Sequence, residues 1–132
     1  MTDNKELVRL ALLARKNAYA PYSGFFVGAA LLCRDGRAFC GANIENASYS
    51  LTNCAERSAL FAAVSAGYRE FDAIAIVGGE TEKVTAFCPP CGACRQALAE
   101  FSKDGALRVV LYDGKNAKET TLSALLPHTF SL

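Results

Sequence analysis

The sequence predicts an α/β protein in which a mixed, five-stranded sheet lies between helices as a three-layer α/β/α sandwich. Three observations carry this expectation. Leu7, Leu10, Ala11, Ala14 and Ala18 recur at helical spacing near the N-terminus. Phe25 to Cys33, Ala73 to Val77 and Leu107 to Tyr112 are apolar runs of the kind that form buried strands. Between them, helical and strand patterns alternate, an order that fits helices on both faces of one sheet.

The elements follow in order. Residues 3 to 19 read as an amphipathic helix, stopped by the turn-forming Pro21-Tyr22-Ser23-Gly24. Phe25 to Cys33 is a strand, and Asp35-Gly36 is read as a two-residue hairpin turn into a second strand, Arg37 to Asn43. That turn would set Cys33 opposite Ala38 and Cys40 opposite Leu31, so the two cysteines are only diagonal neighbours and a disulfide between them is disfavoured. A polar stretch leads to a helix over Cys54 to Ala66, closed by Gly67. Ala73 to Val77 is a strand ended by Gly78-Gly79, and Pro89-Pro90 opens a helix from Cys91 to Ser102. Leu107 to Tyr112 is a strand, Lys118 to Thr121 a short edge strand, and Leu122 to Leu126 a helical turn.

A chain of 132 residues with no linker or repeat is expected to be one domain, 1–132. With 52% hydrophobic and 20% charged residues, disorder is excluded as a description. A net charge of +1 without a Lys/Arg cluster argues against a nucleic-acid groove. No apolar run reaches membrane-spanning length. Charges at Asp3, Lys5, Glu6 and Arg9 break up any signal-peptide core, so the cytoplasm is the expected compartment. There the six cysteines stay reduced, and metal binding becomes the better use for a Cys-x-x-Cys.

Cys54-Ala55-Glu56 and Pro90-Cys91-Gly92-Ala93-Cys94 carry the chemistry. Cys91 and Cys94 lie three apart on one helix face, so both sulfurs reach one ion. Cys54 starts another helix, and three thiolates on zinc leave the fourth tetrahedral position open, as catalytic sites require. Both helix N-termini would point at the metal and stabilise the thiolates. Glu56 is a carboxylate placed to move protons beside the open position. Arg57, one turn after Cys54, is expected to donate to the thiolates and restore zinc's polarising power. Other readings stay open at this level. Asn53 and Glu56 also fit a capping box, and Cys88 would complete a closed four-cysteine structural site, although Pro89-Pro90 stiffens that link.

In company, these blocks resemble the small homotetrameric cytidine deaminases that hold zinc on three cysteines. The likeness runs through Tyr22-Ser23, Phe25-Phe26-Val27-Gly28-Ala29-Ala30, Gly41 to Tyr49, Cys54-Ala55-Glu56-Arg57, Pro90 to Gln96 and Leu126 to Phe130. It implies the cytidine deaminase-like fold, one Zn2+ per chain on Cys54, Cys91 and Cys94, and Glu56 as proton shuttle. It implies that Asn43 and Glu45 bind the ribose 3′-hydroxyl and that Phe25 packs on the pyrimidine. The Ala55 N–H and the Glu56 carboxylate would read the base edge. Tyr49 and Phe130 would help complete a neighbouring subunit's pocket.

The implied reaction is hydrolytic deamination of cytidine and 2′-deoxycytidine to uridine and 2′-deoxyuridine, in pyrimidine salvage, with a zinc-bound hydroxide attacking C4. The partner is then a free nucleoside, with no nucleic acid and no membrane. An aminonucleoside-antibiotic deaminase would share the cysteine blocks, but the Asn43-x-Glu45 pair favours an ordinary nucleoside. A non-catalytic zinc module would need a fourth protein ligand.

Overall fold

Asp3 caps the first helix, its carboxylate accepting from the Glu6 N–H at 2.8 Å. The computed structural model describes residues 3–132. This helix, α1 (Asn4–Arg15), is shorter than the sequence pattern suggests. It stops before residue 19 because Tyr19 is taken into a bridge with Ile44. The Tyr19 N–H donates to the Asn43 carbonyl at 2.9 Å, and the Tyr19 carbonyl accepts from the Glu45 N–H at 2.9 Å. Ile44 also bridges Asn53. Residues 43–45 are thus held extended between two other segments, which no local pattern announces.

β1 (Phe26–Cys33) and β2 (Ala38–Ala42) form the hairpin, but its register differs from the expected one. Leu32 pairs with Ala38, and Cys40 with Ala30. The connection is a three-residue loop, closed by the Cys33 N–H donating to the Arg37 carbonyl at 2.7 Å. Gly36, at φ 97°, supplies the left-handed residue that such loops require, and the Asp35 carboxylate accepts from the Arg37 N–H at 3.0 Å. Cys33 and Cys40 are apart in either register, and all six cysteines are free thiols.

The remaining elements are α2 (Ala55–Ser65), β3 (Phe71–Gly79), α3 (Gly92–Ala99), β4 (Arg108–Tyr112), β5 (Ala117–Thr121) and α4 (Leu122–Leu125). A 3₁₀ turn at Tyr49–Leu51 precedes α2. α3 ends short of Ser102 because its last turn tightens: Phe101 and Ser102 donate three residues back, to Leu98 and Ala99. The sheet order is β2-β1-β3-β4-β5, with β3 and β4 parallel and every other pair antiparallel. The mixed five-stranded sheet is therefore as expected.

Strand alternation separates the two faces. Ala30, Leu32, Ala73, Ala75, Val77 and Val110 meet Leu7, Val8 and Ala11 of α1. Ala29, Leu31, Ile74, Ile76, Val109 and Leu111 meet α2, α3 and α4 on the other face. Alanines on the α1 side let that helix sit close. At Gly28 the approach is closest, since a Cβ there would stand 2.1 Å from the Ala11 carbonyl oxygen and 2.5 Å from the Arg15 nitrogen. Gly28→Ala forces α1 off the sheet, because backbone cannot yield as a side chain does. A loss of about 3 kcal/mol is expected, at the upper end of ordinary overpacking. Chemical denaturation checks it; a midpoint equal to that of the parent would show that α1 has slack.

Candidate active site

Cys54 and Cys91 are the N-caps of α2 and α3. Neither side chain accepts from its own helix, so both sulfurs are left for another partner. Cys94 lies in the first turn of α3 and is fully buried, while Cys91 is exposed. The three sulfurs all lie within 4.8 Å of one another. The Cys54 and Cys91 sulfurs are 3.8 Å apart. Two sulfurs at about 2.3 Å from one tetrahedral zinc stand roughly 3.8 Å apart, so the donor set fits that ion. Among the described residues no fourth His, Cys, Asp or Glu joins the cluster, and Cys88 stays outside it. The closed four-cysteine reading is not supported.

Arg57 completes the first turn of α2, and its Nη2 donates to the Cys54 sulfur at 3.3 Å. Its Nε is buried without a protein acceptor among the described residues, an N–H still available to a thiolate or water. Hydrogen bonds from the Cys94 thiol and from Arg57 hold the Cys54 thiol down at about 5, so it is a thiolate at neutral pH. The same bond, donated to Cys54, together with burial, raises Cys94, which keeps its proton until a metal displaces it. Zinc on three thiolates would carry a net charge of about −1, which the Arg57 cation beside Cys54 would offset. Arg57→Gln is expected to lower kcat about tenfold while zinc per chain falls by less. Steady-state kinetics paired with metal analysis checks this, and unchanged turnover would remove Arg57 from the site's chemistry.

Glu56 is only 4% exposed. Burial, reinforced by the Cys54 charge, raises its carboxyl above the ordinary carboxylate value. The capping-box alternative is not supported, because Cys54 is the N-cap and the Asn53 side chain donates to the Ser58 hydroxyl at 3.2 Å. Ala55 is the first residue of α2 and is buried, so its N–H belongs to the unpaired group at that helix start.

The Phe25 ring lies over the end of β3 beside Cys88. A Cβ on Gly78 would stand 2.8 Å from the Cys88 sulfur and 3.0 Å from Phe25 Cε2. The Cys88 thiol is pushed up to about 11 by burial and by the charges of Glu56, Cys54 and Cys91, so Phe25 and Cys88 border the cluster. Asn43 and Glu45, 8% and 7% exposed, face inward while Ile44 between them faces out at 54%. Both hold the segment that carries Phe25. Asn43 Oδ1 accepts from the Val27 N–H at 2.9 Å, and its Nδ2 donates to the Phe25 carbonyl at 2.8 Å. Glu45 Oε1 accepts from the N–H groups of Tyr22 and Ser23, each at 3.0 Å, and Oε2 accepts from the Ser23 hydroxyl. These bonds, the hydroxyl's first, hold the Glu45 carboxyl below its ordinary value.

Tyr49 and Phe130 lie on the surface. Tyr49 is 65% exposed and packs edge-on against Tyr22, ring centroids 5.9 Å apart. Phe130, 69% exposed, runs beside α3, where its carbonyl accepts from Gln96 Nε2 at 3.2 Å. Within one chain neither is brought to the cluster. Sequence reasoning missed Arg95, whose Nε donates to the Pro90 carbonyl at 2.8 Å and whose Nη1 donates to the Leu125 carbonyl at 2.6 Å. It thereby steadies the residue before Cys91. The missed signal was a cation one turn after a ligand.

No helix among the described residues is long and apolar enough to cross a membrane. Residues 1–112 match the model of the cytidine and deoxycytidylate deaminase zinc-binding region. The cytidine deaminase of Sporosarcina psychrophila is 50% identical over 130 residues, covering 98% of this chain and 92% of the relative. That of Halalkalibacterium halodurans is 51% identical over 130 residues, covering 98% and 95%. The crystal structure of cytidine deaminase from Burkholderia pseudomallei superposes with a TM-score of 0.88 at 50% identity, over 98% of this chain and all of that one. The chain belongs to the family of zinc-binding cytidine and deoxycytidylate deaminases.

Proposed function

We propose that this protein hydrolyses cytidine and 2′-deoxycytidine to the uracil nucleosides and ammonia, as one catalytic domain that serves pyrimidine salvage in the cytoplasm. The observation that carries this reading is a buried carboxylate, Glu56, beside three clustered sulfurs at two helix N-termini. Zinc held by Cys54, Cys91 and Cys94 would supply the Lewis acidity that lowers the pKa of a water in the open position. The chain's own residues do the rest. Glu56 takes a proton from that water and gives it to ring N3, which makes C4 electrophilic. As the water oxygen bonds to C4 and the C4–N bond breaks, Glu56 passes the second water proton to the departing amine. Ammonia leaves, and Glu56 ends as it began.

The Ala55 N–H at the start of α2 reads the base edge beside Glu56, and the Phe25 ring packs on the pyrimidine. Asn43 and Glu45 hold the sugar, inward-facing and two apart on an extended segment. Exposed Tyr49 and Phe130 are the aromatics offered to a neighbouring subunit, and Tyr19, Ile44 and Leu51 extend the apolar surface expected of a homotetramer. Six free thiols agree with a reducing compartment.

The test is direct. The purified protein should hold close to one zinc per chain and consume cytidine, read as an ultraviolet absorbance loss that a chelator abolishes. Zinc without any change on adding cytidine would point instead to the non-catalytic module. Turnover confined to aminonucleoside antibiotics would replace the substrate while keeping the chemistry.

A further inference from the structure

Among the described residues Arg15 is the buried cation, 9% exposed at the end of α1. Its guanidinium meets backbone carbonyls and no carboxylate. Nε donates to the Phe26 carbonyl at 2.8 Å and Nη1 to the Glu82 carbonyl at 3.1 Å. Nη2 donates to the Gly79 carbonyl at 2.8 Å and to the Thr81 carbonyl. A charge withdrawn from water without a counter-charge is costly, so this fork is not an ordinary stabilising ion pair. The backbone beneath it is fixed too. A Cβ on Gly28 would stand 2.5 Å from the Arg15 nitrogen and 2.8 Å from its Cα, so this turn of α1 is pressed onto β1.

The groups that the fork holds give the consequence. Phe26 and Gly79 are the terminal pair of the β1–β3 ladder. One residue before each stand Phe25 and Gly78, and the Phe25 ring lies against Gly78, where a Cβ would be 3.0 Å from Phe25 Cε2. Arg15 thus ties the residue next to the ring to the residue next to the ring's support. The Phe25 carbonyl itself accepts from Asn43 Nδ2 at 2.8 Å, so Asn43 fixes one peptide unit of the segment and Arg15 the next. A planar guanidinium, with its donors in a rigid fork, registers several carbonyls at once, which a lysine ammonium does not. The cysteine ligands are anchored separately, through Arg95 and the Pro90 carbonyl.

Building on the nucleoside deaminase reading, we propose that Arg15 is a positioning residue for the base: its guanidinium ties the ends of β1 and β3 together and so sets the Phe25 ring where the pyrimidine packs. Arg15 touches no reacting atom, so its effect falls on binding and passes through Phe25.

The experiment is a double-mutant cycle of Arg15→Ala and Phe25→Leu, read as KM and kcat on cytidine with zinc per chain. Each single variant should raise KM about tenfold, the scale of one base–aromatic contact, with kcat within about threefold and zinc unchanged. The double variant should match Phe25→Leu within about twofold, since a displaced ring and an absent ring lose the same contact. Arg15 lines a surface groove with Lys16, Ala18 and Glu80, so a small solute reaches its place. Millimolar methylguanidinium should therefore restore KM in Arg15→Ala but not in the double variant, and equal sodium chloride should restore neither. Should Arg15→Ala fail to fold, Arg15→Lys, which keeps the charge and loses the fork, takes its place in the cycle. Rises that multiply to about a hundredfold would make Arg15 a part of the scaffold only. Zinc loss, or a fall in kcat at constant KM, would overturn the proposal as well. A wild type without cytidine turnover would bring down the underlying reading instead.

Discussion

Glu56→Gln is expected to retain its zinc and to lose roughly a thousandfold or more in kcat, since one general acid–base group alone contributes about 10²–10⁴ and in the proposed mechanism Glu56 makes every transfer. The substitution keeps the shape of a buried side chain and removes only its ability to take a proton. The zinc ligands are untouched, so metal content should not change. Substrate should still bind, because Phe25, Asn43 and Glu45 stand on other segments. Zinc analysis with single-turnover absorbance separates the two effects. A variant within tenfold of wild type would mean that the proton route does not pass through Glu56.

The same carboxyl sets a pH dependence. Burial raises its pKa above the ordinary 4.5, so the folded enzyme holds this proton to a higher pH than a free glutamate does. The base form is lost as pH falls through that raised value. The acid limb of kcat/KM should therefore lie above 4.5 and should vanish as a distinct limb in Glu56→Gln. An acid limb at the ordinary carboxylate value would show that the bound metal's charge offsets the effect of burial on Glu56.

The zinc ligands were legible because their geometry is local. Cys91 and Cys94 are one helical turn apart, and Cys54 opens a helix, so short-range rules predict where their sulfurs go. Glu56 and Arg57 follow from the same turn. The α/β layering was legible because β1, β3 and β4 read as apolar runs of the right length. What stayed hidden depends on pairing between distant segments. The end of α1 is decided by Tyr19 meeting Ile44, and the hairpin register by a loop one residue longer than Asp35-Gly36 suggests. Ser23 sits in a turn that any reading would treat as a connector. Its bond to Glu45 spans 22 residues, and no periodicity carries that information.

Cys94→Ala should abolish zinc binding at micromolar metal, and with it all measurable turnover, while Cys88→Ala should keep both. The two thiols differ in kind. Cys94 belongs to the three-sulfur cluster, whereas Cys88 lies outside it with its thiol pushed up to about 11. Removing Cys94 leaves two ligands, Cys54 and Cys91, which cannot fix a tetrahedral ion with one open position. A closed site would behave differently, since loss of Cys88 would then release the metal as well. Proton release supplies an independent reading. Cys54 is already a thiolate near neutral pH, held at about 5, but Cys94 keeps its proton in the metal-free protein. Zinc loading must expel that proton, so binding should weaken as pH falls and should release at least one proton per chain at pH 7. Calorimetry in two buffers of different ionisation enthalpy measures it. Zinc uptake without proton release would mean that Cys94 is not a thiolate ligand, and equal zinc loss in Cys88→Ala would place the fourth ligand where this arrangement leaves room for water.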